Sequence, residues 1–574
     1  MDKKTLPLII ILIVIVIAYW PLMEFFDLNP KPQVEQPPPE TADTTLQTVD
    51  TTFQTVDTST QPSTPQQDMA AVTPSAESPE QIVPDTIPID TITVETNKYY
   101  VTLTSLGGGP VSIQLKEYFY RNGAPIEMIP EPDGPATEVA FSGGTFTTAK
   151  LPFTSPSKGH YVAQSDSVTI TYTYTQAEGG QIVKKLTFYP DEYHFNLEFE
   201  VNGREYFGFE RQYSLIWHNS LDVTEPNVGM DYQAMEVVAM MSGSREKLDD
   251  YKDDRLNQSL TGYTTWAGIR SKYFAAVMIP RNREADGVFG RGFKTKVNTP
   301  DGKIEKRSLS VGMDFPFANI TAFADTFTVF VGPLNYPLMS EYDVDLEDML
   351  DIGTTPIIGW IIKPFAIAVM WVLPRMYSIL PNYGLVIILF ALLVKIVTLP
   401  LSMKSFKSMN AMKELQPKIE EMKKKHKKDS QAMNQEMMKL YKKHGVNPMS
   451  GCLPILLQMP LFFALFSVFR STILLRDAPF VWFITDLSRG ASSFTDPYIA
   501  LVLIMIGFQF LSQKLTMPST QQNKALLYIM PLFMGFIFYK FSAGLVLYWA
   551  CFSAFSLLDY FLFKRNKNVE VKTA

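Results

Sequence analysis

A single charged residue, Lys395, interrupts an apolar stretch at residues 383–401. About 20 apolar residues can cross the roughly 30 Å hydrocarbon core of a bilayer as a helix. A charge inside such a helix costs about 2.5–3.5 kcal/mol on insertion scales, and it usually faces protein or water for a functional reason. Thr398 and Ser402 follow on the same helix face. The sequence therefore predicts a polar stripe inside the membrane; the alternative is a lysine stem that extends to the nearer interface.

The composition excludes several classes of site. The chain of 574 residues has a formal net charge of −7, which gives no sign of a nucleic-acid-binding surface. Its two cysteines, Cys452 and Cys551, both lie in apolar segments, so the sequence predicts neither a disulfide framework nor a cysteine metal site. It contains no phosphate-binding loop or nucleophile motif. We therefore expect no cofactor, no metal, no small-molecule substrate and no enzymatic activity.

The first 90 residues predict an anchor followed by a linker. A charged start at residues 1–4 leads into an apolar run at 6–23, and no small-residue cleavage site follows it. We interpret residues 1–28 as an uncleaved signal anchor, the first transmembrane helix, with its lysines inside the cell. Residues 29–90 are rich in Pro, Thr, Gln and Ser with few large apolar side chains, which predicts a disordered external linker.

Residues 91–335 show the two-residue period of β-strands. The runs at 168–175 and 193–201 alternate between apolar and polar side chains. Turn signals such as Asn122-Gly123 separate the runs. Because no long helices intervene, this pattern predicts a large antiparallel β-sandwich in which one face of each sheet is buried.

One strand face of this domain offers a candidate catalytic site. Its members are His194, Asn196, Glu198 and Glu200. No motif fixes a second base or acid beside them, and His160 and His218 are isolated in the sequence. We therefore favour the alternative that this is a solvated strand face.

Residues 351–380 predict an amphipathic helix on the outer membrane surface. This stretch is apolar but contains Lys363-Pro364 and two tryptophans, which suit an interface. If it crossed the membrane, the next crossing at 381–403 would leave residues 404–444 outside, where twelve lysines against five acidic residues give a net charge of +7. Basic segments stay on the cytoplasmic side, so 381–403 is predicted to run inward as the second transmembrane helix.

Four further apolar segments bring the predicted number of transmembrane helices to six. They lie at residues 453–469, 498–511, 525–541 and 544–563, within a helical core at 447–567 that precedes a tail at 568–574. Every basic cluster then falls on one side, and both termini are cytoplasmic. The predicted fold is a polytopic α-helical membrane protein with a large external antiparallel β-sandwich domain.

Residues 404–446 predict a cytoplasmic helical hairpin. One helix begins at Gln416-Pro417 and the next at Ser430. Its lysines can contact anionic lipid, and its methionines offer an adaptable binding surface. These methionines are Met422, Met433, Met437 and Met438. An ordinary solvated hairpin is the alternative.

A series of motifs runs in order through residues 351–567. They are VNP at 446–448 before GCLPILLQMP at 451–460, LQPKI at 415–419, QEMM at 435–438, APF at 478–480, DL at 486–487, DPY at 496–498 and SAGLVLYW at 542–549. In order and spacing this region resembles the YidC membrane protein insertase family in its Gram-negative form. The N-terminal anchor, the linker and the β-sandwich match that family by layout rather than by motif.

The resemblance implies a function for the polar stripe. Members of this family carry one positive charge in a hydrophilic groove, open to cytoplasm and lipid, which receives hydrophilic parts of incoming membrane proteins. Lys395 stands where the family usually has arginine, so a point charge replaces a planar five-donor group. The implied partners are nascent membrane proteins, membrane lipids, the Sec translocon and the ribosome. The implied location is the bacterial inner membrane, with the β-sandwich in the periplasm.

A groove requires polar side chains from several spans. The candidates are Lys395, Thr398, Ser402, Gln458, Gln509, Ser512, Gln513, Ser553, Ser556 and Asp559. Any one of them could instead form a routine helix–helix hydrogen bond worth about 0.6 kcal/mol. Asp559 shares a helix face with Ser556 and either opposes the charge of Lys395 or lies at the cytoplasmic interface beside the basic residues that follow it.

Two other functions compete with an insertase. A transporter or channel commonly shows internal repeats, but no repeat relates these spans, and the basic hairpin would have no role. A membrane-anchored carbohydrate enzyme would need an acid/base pair in the β-sandwich and would leave the helical core without a task. Because all candidate groove residues follow Asp351, the insertase interpretation also predicts that insertion does not require the β-sandwich.

Overall fold

The computed structural model describes most of the chain from residue 89 onward. The described ranges are 89–130, 134–141, 146–177, 179–207, 212–218, 220–299, 302–317, 322–352, 359–425, 430–444, 453–516 and 524–570. The predicted first helix at 1–28 lies outside the described residues, as does the predicted linker up to residue 88. The described part contains a β-rich domain followed by a helical region.

A five-stranded sheet begins the β-domain. Its strands are β1 (Thr91–Glu95), β2 (Tyr99–Thr104), β3 (Gly109–Phe119), β4 (Pro125–Glu127) and β7 (Gly159–Val162). They are ordered β4-β3-β2-β1-β7. The predicted antiparallel pairing is wrong at one edge, where β7 runs parallel to β1. The strand reaches this edge through a crossover, since two strands of the other sheet, at residues 137–141 and 146–147, precede it in sequence.

The other fourteen strands form a second sheet. They are β5 (Thr137–Phe141), β6 (Phe146–Thr147), β8 (Val168–Thr175), β9 (Gln181–Phe188), β10 (His194–Asn202), β11 (Gln212–Trp217), β12 (Glu236–Met241), β13 (Ser244–Leu248), β14 (Tyr251–Lys252), β15 (Arg255–Arg270), β16 (Phe274–Pro280), β17 (Ala285–Thr299), β18 (Gly302–Pro316) and β19 (Ala322–Pro333). The main path is β6-β5-β11-β18-β17-β15-β16-β19-β10-β9-β8, with β12, β13 and β14 beside β15. Within this sheet the described pairs are antiparallel, as predicted.

The predicted alternation of side chains is confirmed in β10. Phe195, Leu197, Phe199 and Val201 are buried, and the residues between them are half-buried. These side chains join the same hydrophobic core as Leu103 of the five-stranded sheet. A two-residue period therefore placed one face of β10 in the core between the sheets.

The prediction of a solvated strand face is wrong at His194. Nδ1 of His194 lies 2.8 Å from the hydroxyl of Tyr342, which follows β19 and covers this part of the sheet. Asn196 accepts a hydrogen bond from Thr328 at 2.8 Å. Burial, with Arg281 nearby, lowers the pKa of His194 to about 4. The ring is therefore a neutral packing group.

The β-domain also buries one lysine completely. Lys184 in β9 is 0% exposed. Its Nζ donates hydrogen bonds to the carbonyl oxygen of Gly107 at 2.7 Å and to the hydroxyl of Thr148 at 3.1 Å. Gly107 has a positive φ of 80°, a backbone conformation that favours glycine. Burial lowers the pKa of Lys184 to about 7, although Glu138 opposes this shift.

Ten helices are found in the described residues. They are α1 (Val228–Ala234), α2 (Tyr336–Met339), α3 (Gly359–Ile379), α4 (Tyr383–Glu414), α5 (Gln416–Lys425), α6 (Ser430–Lys443), α7 (Leu453–Ser471), α8 (Ile499–Thr516), α9 (Lys524–Phe538) and α10 (Ala543–Glu570). The starts of α5 and α6 are those predicted from the sequence. Short 3₁₀ helices occupy Arg204–Phe207, Leu346–Leu350 and Ile473–Leu475.

Three described segments are long and apolar enough to span a membrane. They are Gly359–Ile379, Tyr383–Met403 and Ala543–Phe561, and shorter apolar helices lie at Ile499–Leu515 and Leu527–Phe538. The first of these is α3, which the sequence predicts to lie on the outer surface. Its tryptophans Trp360 and Trp371 are 76% and 54% exposed, and Arg375 stacks on Trp371 at 3.6 Å. Such amphipathic rings suit an interface, so the surface position stays a prediction.

Helix α4 continues past the predicted end of the second span. It runs unbroken through Pro400 to Glu414, so its last turns belong to the region predicted as the hairpin. Met412 and Leu415 then pack with Ile419 and Tyr441 in a small separate core. The hairpin thus has a hydrophobic core of its own, and α4 is joined to it without an intervening loop.

Candidate functional site

Helix α4 separates apolar side chains from its one buried charge. Leu392, Leu393, Ile396 and Val397 are 38–71% exposed, as lipid-facing side chains are in a membrane helix. Lys395, in the middle of this group, is only 7% exposed. The lysine therefore turns toward the neighbouring helices.

The partners of Lys395 lie on one face of α10. The Nζ atom donates a hydrogen bond to the hydroxyl of Ser556 at 2.9 Å. It lies 2.9 Å from Oδ2 of Asp559, whose side chain is 15% exposed. The ring of Phe552 is 4.7 Å away, within the range of a cation–π contact. Spacings of three and four residues place all three partners on the same side of α10.

The ion pair makes the buried charge tolerable without making it strongly stabilising. Unit charges about 4 Å apart attract by about 4 kcal/mol at an effective dielectric constant of about 20. Each charge in a membrane helix costs about 2.5–3.5 kcal/mol, so the two charges together cost about 5–7 kcal/mol. The two terms are of similar size, and the Ser556 hydrogen bond and the Phe552 ring add modestly to the favourable side. The site therefore holds Lys395 and Asp559 close to energetic balance.

Two further polar residues of α4 form hydrogen bonds with their own helix. The hydroxyl of Thr398 donates to the carbonyl oxygen of Val394 at 2.9 Å, and that of Ser402 donates to the carbonyl oxygen of Thr398 at 3.1 Å. These bonds use the hydroxyl protons but leave oxygen lone pairs as acceptors. Thr398 and Ser402 therefore extend the polar stripe without contacting α10 through these bonds.

A second polar contact joins α8 to α10. The indole Nε1 of Trp549 donates to Oε1 of Gln509 at 2.7 Å. Ser512 and Gln513 follow on α8 and are half-buried, and Ser553 on α10 is 9% exposed. The described contacts thus bring Lys395, Ser556 and Asp559 together, whereas Gln509 has a different partner.

Gln458 in α7 is a half-buried amide. Its amide interacts with the hydroxyl of Tyr548 in α10, and both groups are shielded from solvent. This contact joins α7 to α10.

The hairpin methionines have different surroundings. Met437 packs against the hairpin core, whereas Met438 is 60% exposed. Met422 and Met433 are half-buried. Met438 therefore presents the most accessible thioether side chain of the four.

Sequence analysis missed the aromatic members of the site. Phe552 and Trp549 lie in an apolar helix, where rings do not stand out; the signal for Trp549 was its place at the end of the motif at 542–549. Among the described residues, no cluster of three or more His, Cys, Asp or Glu could hold a metal ion. The described side chains of the site form ion pairs and hydrogen bonds.

Two family matches follow one another along the chain, and the boundary between them lies within α3. Residues 91–368 match the family described as the YidC periplasmic domain. Residues 375–570 match the family described as the 60Kd inner membrane protein. The two matches cover the β-domain and the helical region in turn.

Relatives and solved structures extend across both regions. A membrane protein insertase YidC of Chlorobium phaeovibrioides is 33% identical over 487 residues, covering 82% of this chain and 82% of the relative. That of Chlorobaculum parvum is 32% identical over 536 residues, covering 90% and 88%. A crystal structure of an active YidC insertase with its first transmembrane domain resolved is 20% identical, with a TM-score of 0.33, covering 82% of this chain and 93% of that one. The chain belongs to the YidC family of non-enzymatic membrane protein insertases, inner-membrane proteins with a β-rich periplasmic domain and a helical C-terminal region.

Proposed function

We propose that this insertase receives hydrophilic segments of nascent membrane proteins in a polar groove lined by α4, α7, α8 and α10. The observation that carries the proposal is the contact of Lys395 with Ser556 and Asp559 across two helices. A charge that is 7% exposed among exposed apolar side chains costs free energy in a membrane helix. A functional role explains why the chain keeps this charge. The full set of groove residues is the one predicted from the sequence.

In this proposal Asp559 occupies the place that an incoming acidic or polar group takes. A carboxylate of the client can replace Asp559 beside Lys395, and the number of ion pairs then stays the same. Because attraction and desolvation nearly balance in the resting pair, the exchange requires little net free energy. Insertion then proceeds as the apolar part of the client moves into lipid, with no nucleotide or covalent step.

The proposed groove extends to further features of the function. The groove assists folding as well as insertion, alone or beside the Sec translocon. The hairpin, with its exposed Met438, contacts the ribosome or the emerging chain, and its lysines contact anionic lipid. Both chain termini are cytoplasmic, and α3 lies along the periplasmic surface of the membrane.

Site-specific photocrosslinking tests the groove directly. A photoreactive amino acid is placed at Ser553 or Gln513 of the groove, and at Leu503 or Ile529 as controls, since the last two are 61% and 62% exposed on apolar helix faces. A nascent client with a hydrophilic segment of known position is then crosslinked and mapped. We expect the hydrophilic segment to react at the groove positions. Equal reaction of that segment at the control positions would sink the proposal.

A further inference from the structure

A buried arginine joins the helical core to the β-domain. Arg476 follows α7 and has a side chain that is only 3% exposed. Its Nε donates to Oε1 of Glu225 at 2.7 Å, and Glu225, in the loop before α1, is 5% exposed. One Nη2 donates to the carbonyl oxygen of Phe119 in β3 at 2.9 Å. Two nitrogen atoms of Arg476 therefore donate hydrogen bonds to the β-domain in a contact where both charged side chains are buried.

A second arginine crosses the same boundary in the opposite direction. Arg121 lies in the β3–β4 turn, and its Nη1 is 2.6 Å from Oδ1 of Asp477. Its Nη2 binds the buried carboxylate of Asp486, in the loop between α7 and α8. Asp477 also lies 3.0 Å from Nη1 of Arg476. Each side thus supplies both a cation and an anion, which fixes the relative orientation of the two regions.

The loop that holds Asp486 also holds the start of α10. Oδ1 of Asp486 accepts hydrogen bonds from the backbone and side chain of Ser488 at 2.8 and 2.7 Å. The carbonyl oxygen of Arg489 accepts from the backbone N–H of Ala543 at 2.8 Å. Ala491 in turn donates to the carbonyl oxygen of Tyr539 at 2.9 Å. Contacts therefore run without a gap from Arg121 to the periplasmic end of the helix that carries Asp559.

We propose that the β-domain is a fixed clamp on the periplasmic end of the helical core, with Arg476 and Arg121 as its positioning residues. Exposed ion pairs contribute little, because water competes for both charges. Arg476 and Glu225 have no such alternative, and either one alone would be a buried unpaired charge. The clamp thereby sets the positions of the periplasmic ends of α7 and α10. This role is distinct from client binding at Lys395.

A distance measurement between the two regions tests the clamp. Spin labels are attached at Tyr263, which is 66% exposed on β15, and at exposed Thr495 in the loop before α8. The background carries Cys452→Ser and Cys551→Ser, and the full chain is studied in lipid nanodiscs by pulsed electron paramagnetic resonance. We expect one narrow distance distribution for the clamped protein. Glu225→Gln and Arg476→Met should broaden it at least about twofold, since each leaves one buried group without its ionic partner.

The matched control removes a buried partner within the β-domain. Asp325→Asn weakens the pair that Asp325 makes with Arg283 at 2.8 Å, which does not cross the boundary, and should leave the distribution unchanged. Arg476→Lys keeps the charge and should broaden it less than Arg476→Met; it carries the test if the methionine variant does not give a monodisperse protein. A distribution as narrow in Glu225→Gln and Arg476→Lys as in the parent overturns the proposal, as does equal broadening in Asp325→Asn. The readout does not involve insertion, so it stands or falls independently of the groove.

Discussion

Two of the lysines that the structure describes, Lys184 and Lys395, are buried, and they are held in different ways. Lys184 in the β-domain is 0% exposed and bonds to a carbonyl oxygen and a hydroxyl, both neutral and both fixed by the sheet. Lys395 in α4 is 7% exposed and faces the carboxylate of Asp559 on another helix. Neutral groups fixed in a sheet hold the amine of Lys184 in place. The amine of Lys395 has a charged partner on a separate helix, and another charged group can replace that partner.

The largest effect should follow from reversing the charge of Lys395. Lys395→Glu places two carboxylates against each other beside Ser556, so insertion should fall at least about tenfold, the factor that corresponds to about 1.4 kcal/mol. Lys395→Arg keeps a cation in reach of Asp559 and should stay within about threefold of the parent. Complementation of an insertase-depleted strain, with protein amounts measured in parallel, checks both. Full activity of Lys395→Glu would show that the charge has no role.

A double-mutant cycle sharpens the comparison by asking whether Lys395 and Asp559 act as a pair. Insertion rates are measured for Lys395→Ala, Asp559→Ala and the double variant. Since the two groups are 2.9 Å apart, the defects should be non-additive by about 1–3 kcal/mol. Gln509→Ala, which lies in a different contact, serves as the control and should add to Lys395→Ala. Simple additivity in the first cycle would separate the two residues.

Removing Lys184 should stabilise the protein, whereas removing Lys395 should impair insertion. Lys184→Met replaces a desolvated amine by an apolar chain of similar length, so the free energy of unfolding of the β-domain should rise by about 1–3 kcal/mol at pH 7. The pKa of Lys184 is about 7 in the folded protein, below that of an unfolded lysine, so the unfolded chain binds the extra proton between these values. Stability of the parent should therefore decline as pH falls from about 10 to about 7.

Thermal unfolding of the full chain in detergent, followed by circular dichroism, measures this effect. The gain from Lys184→Met should shrink as the pH rises toward 10, because the parent recovers stability there. Lys185→Met is the matched control. The amine of Lys185 is 36% exposed and pairs with Glu198 and Glu200, so its replacement should not raise the free energy of unfolding. Loss of stability in Lys184→Met would mean that the two hydrogen bonds outweigh the cost of burial.

How far the sequence predicted the molecule differs between the β-domain and the site. The alternation at 193–201 and the apolar helices were readable because their periods follow from the geometry of strands and helices. Lys395 was predicted as a site residue because a charge inside an apolar membrane helix is costly. Sequence alone left two positions open for Asp559, because nothing local sets the rotation of α10 against α4. It could not predict the pairing of Arg476 with Glu225, which are 251 residues apart in sequence.

The smallest predicted effect concerns His194, which the sequence placed on a solvated face. Its pKa is about 4, below that of an unfolded histidine, because burial and then Arg281 disfavour the imidazolium. The unfolded chain therefore binds more protons as the pH falls from about 6.5 toward 4, and stability is lost over this range. Between pH 6.5 and 5.5 the parent should lose about 1 kcal/mol more than His194→Gln, by urea unfolding in detergent. His160→Gln, at a more exposed ring, is the control, and an equal change there would contradict the assignment.

The continuity of α4 has a mechanical consequence. A helix rises about 1.5 Å per residue, so Glu414 lies roughly 28 Å along the axis from Lys395. Between them only Pro400 removes a backbone N–H and so provides a preferred hinge. A load applied to the hairpin therefore reaches the amine through a long helix that bends most easily at Pro400, close to the amine. A small tilt about that hinge moves the hairpin through several ångströms and displaces the amine much less, because the amine lies closer to the hinge.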